Sequence, residues 1–229
     1  MLYYKVVDRI NSEAIIDTAK TNYSLTLSSK EAYRKFIDVV THASSRLDVP
    51  IDFFVSLNNN LALWGNVYLD NLSKPKNGQF ELISLTTNAK HSNTFISISD
   101  FVSVVEQLDN IGINLFQEGF YLWEKIYEDV RALKYTDKPS RDSSFFLFDN
   151  LESCKYYIEK HKGGGQICQV ELIKTRTLFK ADMKLLDEIP NHFTYRQAAK
   201  QVDKYWNGKI STKPVFEYLF QGTCKLTPI

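Results

Sequence analysis

Strand-like and helix-like segments alternate along this chain of 229 residues, and the connections between them are short. Residues 2–7, 166–173 and 215–220 are rich in β-branched and aromatic side chains, which predicts strands. Parallel neighbouring strands need crossover connections of a dozen or more residues, and few loops here are long enough. The pattern therefore predicts an α+β fold rather than a doubly wound parallel sheet.

The N-terminal half is predicted to be rich in helices and the C-terminal half richer in strands. Apolar residues at helical spacing predict helices near 30–49, 99–111, 114–134, 149–161 and 194–207. Further short strands are predicted at 80–85, 94–98, 143–148, 178–181 and 223–227. Gly222 is expected to separate the last two strands of the chain. Residues 51–55 fit either a strand or a short helix, and the asparagines at 58–60 predict a turn.

The composition favours packed cores and gives no general electrostatic preference for a partner. Aromatic residues make up 14% of the chain, a content that argues against disorder. The 28 basic and 27 acidic residues leave a net charge of +1, so charge gives no reason to expect a nucleic-acid or membrane partner. The three cysteines are far apart and predict buried free thiols. No secretory signal or bilayer-spanning apolar run is recognisable, so a cytoplasmic location is expected.

Common catalytic and metal-binding motifs are absent from the sequence. The four histidines are scattered and are not spaced with other ligand-type residues, so no metal site is predicted. The glycines at 163–165 follow a helix and precede a strand, the reverse of the order in a phosphate loop, and predict a helix end. The charged face of the 114–134 helix, which includes Glu128 and Arg131, predicts a solvent-exposed surface.

Two segments carry residue types that suggest a binding site. Arg141 lies beside Ser143 and Ser144 at the start of a predicted strand, where its guanidinium and their hydroxyls suit a phosphate or a ribose. A capped turn with a surface arginine is the alternative. Glu217 lies within an aromatic strand, where a buried carboxylate is costly unless it is paired or functional. The alternative for Glu217 is an edge-strand side chain that points to water.

Four segments together resemble a family of bacterial and phage ADP-ribosyltransferase-like domains. These segments are residues 124–131 (EKIYEDVR), 138–146 (KPSRDSSFF), 204–208 (KYWNG) and 216–222 (FEYLFQG). The resemblance covers about residues 120–229 together with the first strand, and residues 10–110 match no family we can name.

The resemblance implies a split, mostly antiparallel β core that binds NAD without a metal ion. In such domains the last motif strand carries a glutamate on the nicotinamide ribose, which implies a catalytic role for Glu217. The implied cofactor-binding residues are Tyr4, Lys5, Arg9, Arg141, Ser143, Ser144, Phe145 and Tyr157. The first strand departs from the family, because it has no histidine and its arginine comes only at Arg9.

The resemblance also implies how the chain is organised and what it acts on. A single domain over residues 1–229 is expected, with a first core strand at 1–10 and an NAD-binding core at 135–229. Residues 11–134 would form a helix-rich insertion that recognises a target. Members of this family are often toxins or phage-defence effectors that modify a nucleic acid or a protein, and a toxin implies an antitoxin or inhibitor protein. The alternatives are a non-catalytic interaction module or a nucleotide-binding regulator on the same fold.

Overall fold

The computed structural model describes residues 2–23, 31–72, 74–83, 90–117 and 119–229. The strands are β1 (Tyr3–Val7), β2 (Ala14–Asp17), β3 (Gln79–Ile83), β4 (Lys90–Ser97), β5 (Phe145–Leu147), β6 (Gln166–Asp182) and β7 (Phe216–Pro228). The helices are α1 (Glu31–Leu47), α2 (Ile51–Trp64), α3 (Asn66–Asp70), α4 (Ile98–Ile111), α5 (Gly119–Lys134), α6 (Leu151–Tyr157), α7 (Lys184–Asp187) and α8 (Tyr195–Trp206).

The chain divides into two compact units. The first contains residues 1–26, 128–188 and 201–229, and the second contains residues 27–127 and 189–200. Every strand pair among the described residues is antiparallel, so the prediction of an α+β protein with mostly antiparallel strands is confirmed at this level. No helix in the described ranges is long and apolar enough to cross a membrane.

A five-stranded antiparallel sheet forms the centre of the first unit. Its main order is β1-β6-β7-β2, and β5 pairs with β7. The backbones of Tyr4 and Phe148 exchange two hydrogen bonds of 2.8 Å, which connect β1 to the end of β5. The strands β1, β6, β7 and β5 therefore form a closed circuit of hydrogen bonds. Strand β2 was not predicted, because it follows a polar stretch and has only four residues.

The longest feature of this sheet is the pairing of β6 with β7. The predicted strands 166–173 and 178–181 are parts of one continuous strand, β6, and the predicted break at Gly222 is wrong because β7 runs through it. Register shifts at 172–174 and 175–177 let both strands bend without ending. Gly222 has φ +152°, and a Cβ at this position would overlap the carbonyl oxygen of Lys174. A glycine in a strand can thus mark a close approach of two backbones rather than a turn.

The interior of the sheet is lined by alternate residues of its strands. Tyr3, Phe145, Cys168, Val170, Tyr218, Phe220 and Cys224 belong to one buried cluster. Successive side chains of a strand point to opposite faces, so Glu217 and Leu219 lie on the face opposite to Tyr218 and Phe220. The three cysteines are free and buried, as predicted.

The second unit is mainly helical and contains the hairpin of β3 and β4. Residues 51–55 begin the helix α2, and the predicted turn at 58–60 is wrong because all three asparagines lie inside it. Their side chains are used in hydrogen bonds: Asn58 and Asn59 donate to the carbonyls of Asn114 and Phe116, and Asn60 donates to Ser56. These tertiary contacts outweigh the low helix propensity of asparagine.

Candidate functional site

The side chains of Arg141, Glu217 and Tyr205 form a buried hydrogen-bonded trio in the first unit. Arg141 Nη1 donates to Glu217 Oε1 at 2.6 Å and to the Tyr205 hydroxyl at 2.8 Å. The Tyr205 hydroxyl donates to the same Glu217 oxygen at 2.7 Å. The exposed fractions are 8% for Arg141, 3% for Glu217 and 0% for Tyr205. A guanidinium and a phenol thus compensate the charge of a carboxylate that is almost completely removed from water.

A short 3-10 turn, Arg141–Ser143, holds Arg141 in place. Ser140 begins this turn, and its hydroxyl accepts a hydrogen bond from the backbone of Asp142. Glu128 of α5 accepts from the backbone nitrogen of Arg141 at 2.7 Å and from the Ser140 hydroxyl at 3.0 Å. Arg131 completes the network through a 2.8 Å ion pair with Glu128. The prediction that Glu128 belongs to a solvent-exposed face is therefore wrong.

Strand β7 positions Glu217 in the interior of the sheet. Glu217 pairs with Ala181 of β6, and the following residues of β7 pair with β5 on the other side. The alternative in which Glu217 points to water from an edge strand is therefore wrong. The guanidinium of Arg141 also lies 4.7 Å from the centre of the Phe146 ring, which belongs to β5. The turn before β5 and the last strand of the chain thus meet at Glu217.

The candidate residues near the start of the chain lie in different environments. Tyr4 is half-buried and packs against the cluster of Val6 and Phe148. The ammonium of Lys5 lies 4.7 Å from the centre of the Phe145 ring and 5.8 Å from that of Phe146. Arg9 is exposed beyond the end of β1, and the structure does not place it with Glu217.

The electrostatic environment of Lys5 differs from that of an ordinary lysine. Burial, with a smaller contribution from the charge of Lys162, lowers the pKa of Lys5 to about 8, and the charge of Glu217 opposes this shift. Cys154 and Cys224 also lie within electrostatic range of Lys5, and burial raises the pKa of each thiol to about 12. Both thiols are therefore neutral at physiological pH.

The other candidate residues divide into exposed and buried groups. Ser143 is exposed, and its hydroxyl accepts a 2.9 Å hydrogen bond from Gln221 rather than contacting Glu217. Ser144 is buried, and its hydroxyl donates to the Ser140 carbonyl at 2.6 Å. Phe145 is buried in the core of the sheet. Tyr157 is half-buried and stacks on His161 with 5.4 Å between ring centres.

Tyr205 and Glu128 are the site residues that sequence reasoning missed. Both lie in segments that carry the family resemblance, 204–208 and 124–131, so their location was indicated but their roles were not. Tyr205 has the helical spacing of a core residue, and Glu128 lies in a run of charges that is typical of a solvated helix. No pattern in the sequence predicts that Glu128 contacts the turn at Arg141 or that Tyr205 contacts Glu217.

The arrangement combines a carboxylate, a guanidinium, a phenol and a nearby amine, which are groups that bind polyhydroxylated anions such as nucleotides. Among the described residues, no group of three or more histidine, cysteine or acidic side chains is placed to hold a metal ion. A groove of about 420 Å³ lies at Leu2, Tyr3 and 169–172, and its lining includes none of the trio. Glu217 is almost completely buried, and its Oε1 atom accepts from both Arg141 and Tyr205.

Comparison with known protein families gives one match. The model of the family DUF2441, described as a protein of unknown function, matches residues 53–229. This range includes the complete trio of Arg141, Tyr205 and Glu217. No curated protein matches the chain.

Proposed function

The chain belongs to the DUF2441 family of proteins of unknown function, and we propose that it is an NAD-dependent mono-ADP-ribosyltransferase with a split antiparallel core. The contact between Arg141 and Glu217, which are 76 positions apart in the sequence, carries the proposal. Both come from segments that resemble ADP-ribosyltransferase-like domains. The strands β1, β5 and β7, which carry or directly follow the resembling motifs, also belong to one sheet.

The reaction assigns a task to each of these residues. Cleavage of the nicotinamide–ribose bond creates positive charge on the ribose, as in glycoside hydrolysis. A fixed carboxylate at Glu217 stabilises this charge more strongly in the transition state than in the ground state. Arg141 presents a planar set of donors that suits the pyrophosphate, and Lys5 adds a second cation from β1.

The remaining candidates contribute according to their exposure. Ser143 supplies an accessible hydroxyl for a ribose, and Tyr157 supplies a half-buried ring for the nicotinamide. Ser144 and Phe145 support the site from the interior, because Ser144 anchors the turn of Arg141 and Phe145 lies beneath the amine of Lys5. Arg9 is too weakly connected to the sheet for a role to be assigned.

Binding of NAD requires an exchange of partners within the trio. Arg141 neutralises Glu217, and the carboxylate of Glu217 is almost completely buried. We propose that the pyrophosphate takes the guanidinium of Arg141, which leaves Glu217 to accept from a ribose hydroxyl. The guanidinium exchanges one anion for another, and Glu217 keeps the hydrogen bond from the Tyr205 hydroxyl and gains one from the ribose.

The resemblance extends the proposal to the acceptor. A nucleic acid or a protein would receive the ADP-ribose, in the manner of a toxin or phage-defence effector, and an antitoxin or inhibitor protein would accompany it. Target recognition is assigned to residues 11–134, which include residues 27–127, the larger part of the second compact unit.

The test is nicotinamide release from NAD by the purified chain, with and without added RNA, DNA and cell protein as acceptors. We expect Glu217→Gln to reduce release by at least about 100-fold, because the carboxylate acts on charge that develops in the transition state. Glu152→Gln is the matched control, since Glu152 is an exposed helix residue whose loss should leave the rate unchanged. Circular dichroism of each variant verifies that the fold is retained.

A non-catalytic interaction module is the second candidate, and the burial of Glu217 at 3% exposure favours it. In that role the trio is a structural clamp between the turn before β5 and strand β7. Absence of nicotinamide release with every acceptor, together with no heat of NAD binding in calorimetry, would support this module and exclude the transferase.

A further inference from the structure

Two hydrogen bonds at the surface connect strand β6 to the turn that holds Arg141. Arg176 Nη2 donates to Gln221 Oε1 at 3.3 Å, and Gln221 Nε2 donates to the Ser143 hydroxyl at 2.9 Å. Arg176 and Ser143 are exposed, and Gln221 is half-buried. The side chain of Gln221, on β7, therefore bridges β6 and the turn Arg141–Ser143.

A β-bulge places Arg176 within reach of Gln221. Thr175 pairs with Gly222 and Thr177 pairs with Gln221, so Arg176 is the extra residue of β6 in this register. A bulge redirects side chains of the bulged strand, and bulges are common beside functional sites. The contact of Arg176 with Gln221 is therefore set by the pairing of the two long strands.

Gln221 also lies on the face of the sheet that carries Glu217. Strand β7 pairs with β6 without a register shift between these two residues, so side chains alternate there and the two share a face. At about 3.3 Å per residue, their Cα atoms lie about 13 Å apart along the strand. Ser143, at the other end of the bridge, follows Arg141 by two residues. The bridge therefore borders the candidate site on its exposed side.

The guanidinium of Arg176 fixes the direction of both hydrogen bonds. It has donors but no acceptor, so only the amide oxygen of Gln221 can face it. The amide nitrogen of Gln221 then faces Ser143 and uses a lone pair of the hydroxyl oxygen. Among the described residues this hydroxyl has no other hydrogen-bond partner. The O–H of Ser143 is therefore left to donate to a ligand.

We propose that Arg176 and Gln221 are positioning residues, which orient the Ser143 hydroxyl as a hydrogen-bond donor to NAD. The inference rests on the transferase activity proposed above, in which Ser143 contacts a ribose. The oriented O–H selects an acceptor on the nucleotide, such as a ribose oxygen. Arg176 and Gln221 do not touch the nucleotide in this arrangement and act only through Ser143.

The variant Gln221→Glu reverses the direction of one hydrogen bond with little change of shape. A carboxylate has only acceptors, so one of its oxygens accepts from Arg176 and the other accepts from the Ser143 hydroxyl. The Ser143 proton is then used within the protein and is no longer available to a nucleotide. The contact with Arg176 becomes an ion pair, so the variant should unfold at a urea concentration no lower than that of the wild type.

Calorimetry with NAD measures the dissociation constant of the wild type, Gln221→Glu, Ser143→Ala and the double variant. We expect each single variant to weaken binding about tenfold, the effect of losing one hydrogen bond. In the double variant the second change should add less than about twofold, because Gln221 acts through Ser143. At saturating NAD, nicotinamide release should stay within about twofold of the wild-type rate, since a hydrogen bond of equal strength in the ground and transition states affects KM alone.

Gln107→Glu is the matched control and should leave NAD binding unchanged. Gln107 of α4 also donates to a serine hydroxyl, that of Ser103, and the substitution adds the same charge. If Gln221→Glu weakened binding equally with and without the Ser143 hydroxyl, repulsion of the nucleotide by the added charge would be the cause, and the proposal would be overturned. Unchanged binding by Gln221→Glu, or slower release at saturation with unchanged affinity, would overturn it as well.

Glu217→Gln separates a failure of this inference from a failure of the proposed transferase. A wild type that binds NAD and loses nicotinamide release in Glu217→Gln, but is insensitive to Gln221→Glu, retains the transferase and refutes the positioning role of Gln221. A wild type that neither binds NAD nor releases nicotinamide refutes both proposals.

Discussion

At the scale of single residues, the cost of burying Arg141 and Glu217 opposes the gain from the contact between them. A charge in the interior is costly, and the cost is recovered only while the opposite charge and its hydrogen bonds are present. We therefore expect Arg141→Met and Glu217→Gln each to lower the free energy of unfolding by about 3–5 kcal/mol. The double variant should lower the free energy of unfolding by clearly less than the sum of the two single effects. Urea denaturation of all four proteins measures this coupling.

An exposed ion pair supplies the comparison. Lys155 and Glu152 are 2.9 Å apart and largely exposed, and surface pairs of this kind contribute little. Glu152→Gln should therefore leave the urea midpoint almost unchanged. Equal effects of Glu217→Gln and Glu152→Gln would contradict a buried, mutually dependent pair.

The lowered pKa of Lys5 predicts a specific dependence of stability on pH. Burial lowers this pKa from 10.5 to about 8, so between these values the unfolded chain binds more protons and stability rises with pH. Lys5→Met removes the cost of burying the charged amine. The variant should be more stable than the wild type by about 1–2 kcal/mol at pH 7, discounted for partial exposure.

Thermal denaturation of both proteins at several pH values tests whether Lys5→Met is more stable than the wild type. The advantage of Lys5→Met should be largest below pH 8 and should disappear as the pH approaches 10.5. A variant that is less stable than the wild type at pH 7 would show that the contacts of Lys5 with Phe145 and Phe146 outweigh its desolvation.

At the scale of secondary-structure elements, local pattern predicted where strands and helices occur better than where they end. Periodicity predicted the end of the helix α5 correctly, but the helix begins at Gly119 rather than at 114, and β5 lies within the predicted strand 143–148. The continuity of β6 and β7 was not predictable, since polar residues and Gly222 in their middle are normally signs of a turn. Pairing between the two long strands determines that both continue through these residues. Such pairing joins residues that are distant in the sequence.

Gly222 gives a prediction at this scale. Because a Cβ there would overlap the carbonyl oxygen of Lys174 and the backbone has φ +152°, Gly222→Ala must distort the pairing of β6 with β7. We expect a loss of at least about 2 kcal/mol in the free energy of unfolding. Urea denaturation followed by circular dichroism measures it.

Gly163 is the matched control for this substitution. It has φ +70° at the end of a helix, with open space where a Cβ would point. Gly163→Ala should cost only about 1 kcal/mol, the strain of a left-handed alanine. If both glycine variants lost the same stability, the close approach at Lys174 would not be the cause.

At the scale of the whole molecule, two residues of the candidate site could be predicted from the sequence, but the contacts between them could not. Glu217 and Arg141 were found because a carboxylate in an aromatic strand and an arginine before a strand are locally unusual. Their direct contact, and the support from Tyr205 and Glu128, depend on the packing of α5, α8 and the sheet. Such long-range geometry leaves no periodic signal in the sequence.

The buried thiols provide a prediction about the first unit as a whole. Burial raises the pKa of Cys154 and Cys224 to about 12, and Cys168 is also buried with a raised pKa. All three should resist iodoacetamide at pH 8 in the folded protein and react readily in urea. Mass spectrometry of the alkylated protein measures the number of reacted thiols. Rapid alkylation of any thiol without denaturant would contradict this packing.

The position of β1 has a consequence for how the protein is made. Tyr3 pairs with Val170, and Ala14 of β2 pairs with Leu226, so β1 and β2 are synthesised long before their partner strands. Sheets dominated by such distant pairings form slowly, because a large loop must close before any contact is gained. Strand β1 lacks its native neighbour until β6 has been made, and β2 lacks its neighbour until β7 has been made. Newly made chains should therefore depend on chaperones during this interval.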